Sequence, residues 1–146
     1  SRTVRTRLRR GGYLKALEDV GGTVPPEVPF DRGIPSVVER AAAGMDWIFN
    51  NCPDVDAVLC MNDWTAMGVI SEVGRHGKSV PDDIAVSGFG DVDCGKTRGL
   101  GITTVGIPGF KVGETAARLI LERSTKPDSG PKVVDLGFEI IRRATA

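Results

Sequence analysis

Two short apolar runs, each halting on polar or glycine residues and separated by a helix-like stretch, constrain the fold of this chain more than any other feature. Asp56-Ala-Val-Leu-Cys-Met-Asn62-Asp63 reads as a buried strand, Ala57–Met61, that stops on two polar side chains. Ile84-Ala-Val-Ser-Gly88-Phe89 repeats the arrangement and ends on Gly90, Asp91 and Asp93. Between them Ala66, Met67, Val69, Ile70 and Val73 recur at helical spacing from about Trp64 to His76, with Gly77 as the stop. Strand, helix and strand within about 32 residues is the size of a βαβ unit, whose crossover is right-handed. In an open parallel α/β sheet ligands gather beyond the carboxyl ends of the strands. Residues 62–63 and 89–93 therefore outline one wall of a pocket.

The flanking segments extend this α/β pattern. Val4, Leu8, Leu14, Leu17 and Val20 predict an opening helix, with Ser1 or Thr3 as N-cap and Gly21-Gly22 as its end. Thr23 to Gly33 carries Pro25, Pro26 and Pro29, and reads as an extended connection with at most a short strand around Val28–Phe30. A second amphipathic helix runs from Pro35, which suits a first turn, and ends before Pro53. Gly99–Val105 predicts a weaker strand, Phe110 to about Arg123 a fourth helix, Thr125–Pro131 a polar loop, and Val133–Arg142 a final strand.

Composition narrows the function. The 146 residues are 40% hydrophobic, enough for one core, so the chain is one domain or part of a larger one. Nineteen basic and nineteen acidic residues cancel, which removes the broad positive field that drives non-specific nucleic-acid binding. No apolar run approaches the roughly 20 residues that span a bilayer. Cys52, Cys60 and Cys94 are odd in number and widely spaced, which points to a reducing compartment and a soluble, cytoplasmic protein rather than to a disulfide framework or a Cys-x-x-Cys clip. Cys60 reads as a small buried hydrophobe. His76 is the one histidine and reads as a helix-end group. No multi-histidine metal site, nucleophile elbow or Walker loop is present. Neither catalysis, a cofactor nor a metal is expected.

Several motifs in order carry a family resemblance. Asp56–Asp63, the following helix with Gly68, Val80-Pro-Asp-Asp-Ile-Ala-Val-Ser-Gly-Phe89, Ile102-Thr-Thr-Val105, the helix with Gly113 and Ala116-Ala117, and the opening Arg7-x-Arg9-x-x-Gly12-Tyr13 together resemble the lac/gal repressor family. The resemblance covers nearly the whole chain. It implies a bacterial transcription regulator with a helix-turn-helix head and a sensor core folded like a periplasmic sugar-binding protein. On that pattern residues 1–146 form a partial effector-binding and dimerisation domain, mainly the second (C-terminal) subdomain with its parallel sheet. The DNA-binding head and most of the first subdomain would lie outside it, and the helix near Phe110–Arg123 would pack with the first subdomain. Cys60-Met-Asn62-Asp63 and Val133-Val-Asp-Leu-Gly-Phe138-Glu look most like repressors of gluconate utilisation, whose effector would be a sugar acid or its phosphate.

The resemblance also assigns residues. Arg9 matches an effector-contacting arginine, with Arg7 beside it, and guanidinium groups pair carboxylates and phosphates bidentately; the competing reading is a solvated basic helix face. Asn62 matches a strand-end amide able to donate to and accept from a hydroxyl. Asp63 reads as the cap of the helix that follows. Relatives commonly place an acid directly after the Gly-Phe pair, whereas here Gly90 stands there and Asp91 follows. Either Asp91, with Asp93 nearby, has taken over the role, or the pocket holds a ligand that repels a carboxylate. Ile107 replaces a polar contact, and Phe89 is placed to stack on a ligand. Trp64, Met67, Gly68 and Ser71 resemble the family's dimer helix, completed by the loop Asp93–Gly101. The expected partners are a small-molecule effector, a second copy of the chain, and operator DNA through the head alone. A periplasmic sugar-binding protein of a transporter is the alternative.

Overall fold

The computed structural model describes residues 3–28, 33–97, 99–126 and 130–146. Ser1, Pro29 and Phe30 lie outside the described residues, and with them part of the expected strand near Val28; so does part of the Thr125–Pro131 loop. Among these residues four α-helices and four strands follow in the order α1 (Val4–Asp19), α2 (Val37–Asn51), β1 (Ala57–Leu59), α3 (Asp63–Arg75), β2 (Ala85–Phe89), β3 (Thr103–Gly106), α4 (Gly109–Thr125) and β4 (Glu139–Ile141), with a 3-10 turn, Asp93–Lys96, between β2 and β3. The sheet runs β1-β2-β3-β4. Its first three strands are parallel and β4 is antiparallel to β3. The predicted βαβ unit is thus β1-α3-β2.

Local chemistry sets the helix bounds. Thr3 caps α1 through the Thr6 N–H, and Ser36 rather than the Pro35 turn starts α2, accepting from the Glu39 N–H at 3.3 Å. α1 and α3 end alike. Gly21 and Gly77 adopt φ of 68° and 69°, and the next residue returns its N–H into the last turn, Gly22 to Leu17 and Lys78 to Val73. This is the Schellman closure that a glycine makes without steric cost.

The core lies on one side of the sheet. Ala41, Met45 and Ile48 of α2 meet Ala66, Val69 and Val73 of α3, which cover Ile84, Val86 and Ile102. Gly68 is what lets the helices approach, since a Cβ there would stand 2.4 Å from the Val38 carbonyl oxygen and 2.7 Å from the Ala41 Cβ. The sequence placed Gly68 on the dimer face with Trp64, Met67 and Ser71; it is buried instead, because α2 covers that part of the helix with the Val38 carbonyl and the Ala41 side chain.

Three strands are shorter than expected; β1 stops at Leu59 rather than Met61. Gly99 and Gly101, at φ of 101° and 46°, keep the first half of the third segment out of β geometry. β4 begins only at Glu139 because its partner β3 ends at Gly106, the residue paired with Glu139, so Val133 and Val134 have no strand beside them and stay exposed. Beyond β4 the chain returns into the sheet. The Thr145 carbonyl accepts from Val86 N–H at 2.7 Å, while its hydroxyl donates to the Val86 carbonyl at 2.7 Å and accepts from Thr103 N–H at 2.9 Å. Thr145 thereby closes the seam between β2 and β3.

Candidate functional site

The carboxyl ends of β1 and β2 carry the cluster toward which the sequence pointed. Arg9, on α1, lays its guanidinium over the Phe89 ring, 3.4 Å from the centroid, and donates to the Met61 carbonyl at 2.7 Å. Met61 directly precedes Asn62, so three of the expected effector residues, Arg9, Phe89 and Asn62, converge on one spot. A cation on a ring face contributes about 0.5–2 kcal/mol according to its desolvation. Burial first, and the neighbouring Arg5 charge second, draw the Arg9 pKa below its ordinary value. The group stays a cation in the neutral range, with nitrogens beyond the one that Met61 engages.

Asn62 takes the capping part expected of Asp63, and Asp63 a structural one. Asn62 is the N-cap of α3: its Oδ1 accepts from the Thr65 N–H at 2.8 Å and from the Thr65 hydroxyl at 3.0 Å. Its amide nitrogen has no protein partner among the described residues, which leaves a donor at the strand end. Asp63, expected as the cap, is instead fully buried inside the first turn. Its Oδ2 accepts from Val92 N–H at 2.8 Å and its Oδ1 from the Thr104 hydroxyl at 2.6 Å. One carboxylate therefore ties α3 to the loop after β2 and to β3. The space it occupies is the one left by Gly88, where a Cβ would stand 2.1 Å from Oδ1.

The loop after β2 explains its own acids. Asp91 takes a positive φ of 53°, which aspartate tolerates better than most residues. Arg143 donates to its Oδ1 at 2.5 Å and Lys96 lies 3.3 Å from its Oδ2. Burial raises the Asp91 pKa, but the hydrogen bonds and charges of Arg143 and Lys96 together outweigh it, so the carboxyl titrates below its ordinary 3.8. Asp93 opens a 3-10 turn, Asp93–Lys96, with its side chain wholly exposed beside Lys96. Gly90, at φ 124°, leaves open space where relatives place an acid: the nearest atom a Cβ would meet is Val92 Cγ1, at 3.8 Å.

The remaining candidates lie apart from this cluster or at its rim. Arg7 is exposed and has no partner among the described residues, and Ile107 is 45% exposed. Trp64 and Ser71 are exposed along α3 with Met67 half-buried between them. Cys60 is buried, its thiol pushed up to about 12 by burial first and by the Asp63 charge second, as suits an inert core residue. Arg143, Lys96 and Thr104 were not singled out from the sequence; they stand 52, 5 and 41 residues from the acids they hold, with no periodicity to link the distant pairs. A groove lined by Gly11, Leu14, Lys15, Glu18, Gly22 and Val24 shares no residue with the cluster.

Comparison with known proteins gives the family and the fold. The model of the periplasmic binding protein-like domain matches residues 1–146. Over 93% of this chain and 40% of the relative, the sequence is 32% identical to the HTH-type transcriptional regulator GntR of Escherichia coli K12. It is 28% identical to the transcriptional repressor PurR of Vibrio atlanticus over 94% of the chain and 40% of that protein. A solved complex of the transcriptional regulator CelR with cellobiose superposes with a TM-score of 0.80 at 25% identity, covering 94% of this chain and 42% of that one. The chain thus spans about 40% of the length of the curated relatives it matches. The chain belongs to the family of periplasmic binding protein-like domains, and its relatives are regulators of the lac/gal type.

Proposed function

We propose that this chain is part of the effector-sensing domain of a cytoplasmic lac/gal-type transcriptional regulator, and that a sugar acid or its phosphate binds at the Arg9–Phe89–Asn62 cluster. The observation that carries the reading is Arg9 held over the Phe89 ring beside the strand end that presents Asn62. Phe89 holds the Arg9 guanidinium on its ring face, Asn62 offers a donor for a hydroxyl, and Arg9 a cation for an anionic group. The electrostatics favour an anion. The position after Phe89 is Gly90 rather than an acid, and Asp91, the nearest carboxylate in sequence, is already neutralised by Arg143 and Lys96. Relatives named GntR and IdnR fit that reading, and the CelR complex with cellobiose, a neutral sugar, sets the competing one. Because the relatives are transcriptional regulators, they weigh against the transporter-binding-protein alternative and against an enzyme.

In the intact protein the effector would lie between two subdomains and favour one of their relative orientations. Only a difference in affinity between those orientations can change DNA binding. The outward face of α3, Trp64 with Met67 and Ser71, would meet a second copy of the chain, without Gly68.

Calorimetric titration of the full-length protein with gluconate, 6-phosphogluconate and glucose tests the effector reading. The acids should bind at least tenfold more tightly than glucose, and Arg9→Ala should erase that preference while the circular dichroism spectrum is unchanged. Equal affinity for acid and neutral sugar, or full acid binding by R9A, would overturn it.

A further inference from the structure

A second side-chain cluster, outside the effector site, joins the far ends of α2 and α3. His76, the C-cap of α3, places Nε2 3.1 Å from Asp46 Oδ1 of α2 and 3.4 Å from Glu72 Oε1, one helical turn back on α3. The three ligand atoms all lie within 4.8 Å of one another. Around a tetrahedral zinc ion with bonds of about 2.0–2.1 Å, neighbouring ligand atoms stand roughly 3.3–3.4 Å apart. The two imidazole–carboxylate spacings already lie close to that value.

The surroundings hold these groups in place. The Glu72 side chain is 3% exposed, and its other oxygen, Oε2, accepts from Arg75 at 3.0 Å, which leaves Oε1 facing His76. The His76 ring packs on Phe49 with centroids 4.4 Å apart, which fixes its plane. Asp46 and His76 are 56% and 40% exposed, so the cluster is open to water on one side and a solvent molecule can complete four-fold coordination. A buried carboxylate is costly unless charge balances it, and here the balancing cation nearest Oε2 is an arginine whose side chain is 74% exposed. Imidazole with two carboxylates suits zinc and its transition-metal neighbours better than magnesium or calcium, which prefer all-oxygen shells.

We propose that Asp46, Glu72 and His76 form a transition-metal site, with Zn2+ as the natural occupant, that pins α2 to α3. The site is separate from effector binding and stands whether or not the ligand at Arg9 is a sugar acid.

The test uses the full-length protein, stripped with a chelator and titrated with Zn2+ and with Co2+. The expected result is one ion per chain at micromolar or tighter affinity, a higher melting midpoint with Zn2+, and the visible bands of four-coordinate Co2+. His76→Ala and Asp46→Asn, both at half-exposed positions, should each weaken binding at least tenfold without loss of fold. Absence of binding would overturn the proposal. So would binding that survives H76A and D46N but is lost in Cys52→Ser, which would move the ion to a thiolate.

Discussion

Replacing Asp63 by asparagine isolates what its buried carboxylate does. The side chain keeps its size and one acceptor, yet the structure asks for two: Val92 N–H at 2.8 Å and the Thr104 hydroxyl at 2.6 Å are both donors. If the new amide nitrogen faces Val92, two donors oppose each other. If it faces Thr104, the hydroxyl can turn to accept but its own hydrogen then loses its acceptor. Either way a hydrogen bond to a charged group, worth about 1.5–3 kcal/mol, disappears and a donor is left unsatisfied at about 1–3 kcal/mol. Against this stands relief from burying a charge in a fully enclosed site. The net expectation is a loss of about 2 kcal/mol. In urea, with a slope of about 1–3 kcal/mol per molar, the unfolding midpoint should fall by about 1 M. Thr104→Val removes one of the two donors, so the double-mutant cycle of D63N with T104V should show a coupling of about 1 kcal/mol. A D63N midpoint equal to that of the parent, or a cycle whose coupling is near zero, would refute the account of Asp63 as the tie between α3, β3 and the loop after β2.

Two glycines of α3 should respond in opposite directions. Gly68→Ala drives a methyl onto the Val38 carbonyl and the Ala41 Cβ and should cost about 1–3 kcal/mol, whereas Gly74→Ala, with nothing within 4 Å, should gain about 0.5–1 kcal/mol; thermal melts of the pair check both. Asp91 titrates below 3.8 when folded, so its ion pair contributes stability that is complete above about pH 5 and is lost as pH falls through 3.8 and below. Asp91→Asn should therefore flatten the acid limb of a stability profile and leave its slope above pH 6 unchanged. Trp64→Glu, at a position 49% exposed, should shift sedimentation of the full-length protein from dimer to monomer without altering its fold.

How much of this the sequence reveals depends on the range of the interaction. The βαβ unit was legible because its signals are local: an apolar run, a helical period and a glycine stop within one stretch of chain. The proposed effector cluster was legible in part, since Asn62 and Phe89 sit at strand ends that the same pattern locates, and Arg9 came from the family motif. Which of Asn62 and Asp63 caps α3 was not legible. Both side chains can cap, and the choice is made by Thr104 and Val92, distant donors that draw Asp63 inward. Gly68 misled for a related reason: a small residue on a helix reads equally as a contact with a second chain or with the same one, and only the approach of α2 decides. Asp46, 30 residues from His76, carries no sequence mark that the two meet.

The seam at Thr145 bears on the order of folding. Val86 and Thr145 stand 59 residues apart, and Arg143 reaches back to both Thr103 and Ile102. As the chain leaves the ribosome, β1, α3 and β2 can dock early through short loops, but β2 and β3 lack their shared clasp until the residues after β4 are made. Contacts of such separation come late and slow the search, because the entropy of closing the loop precedes any gain. Until that moment the backbone groups of Val86, at the start of the β2–β3 pairing, lack their partners, and that exposed strand segment is where a chaperone would engage the domain or a misfold would start.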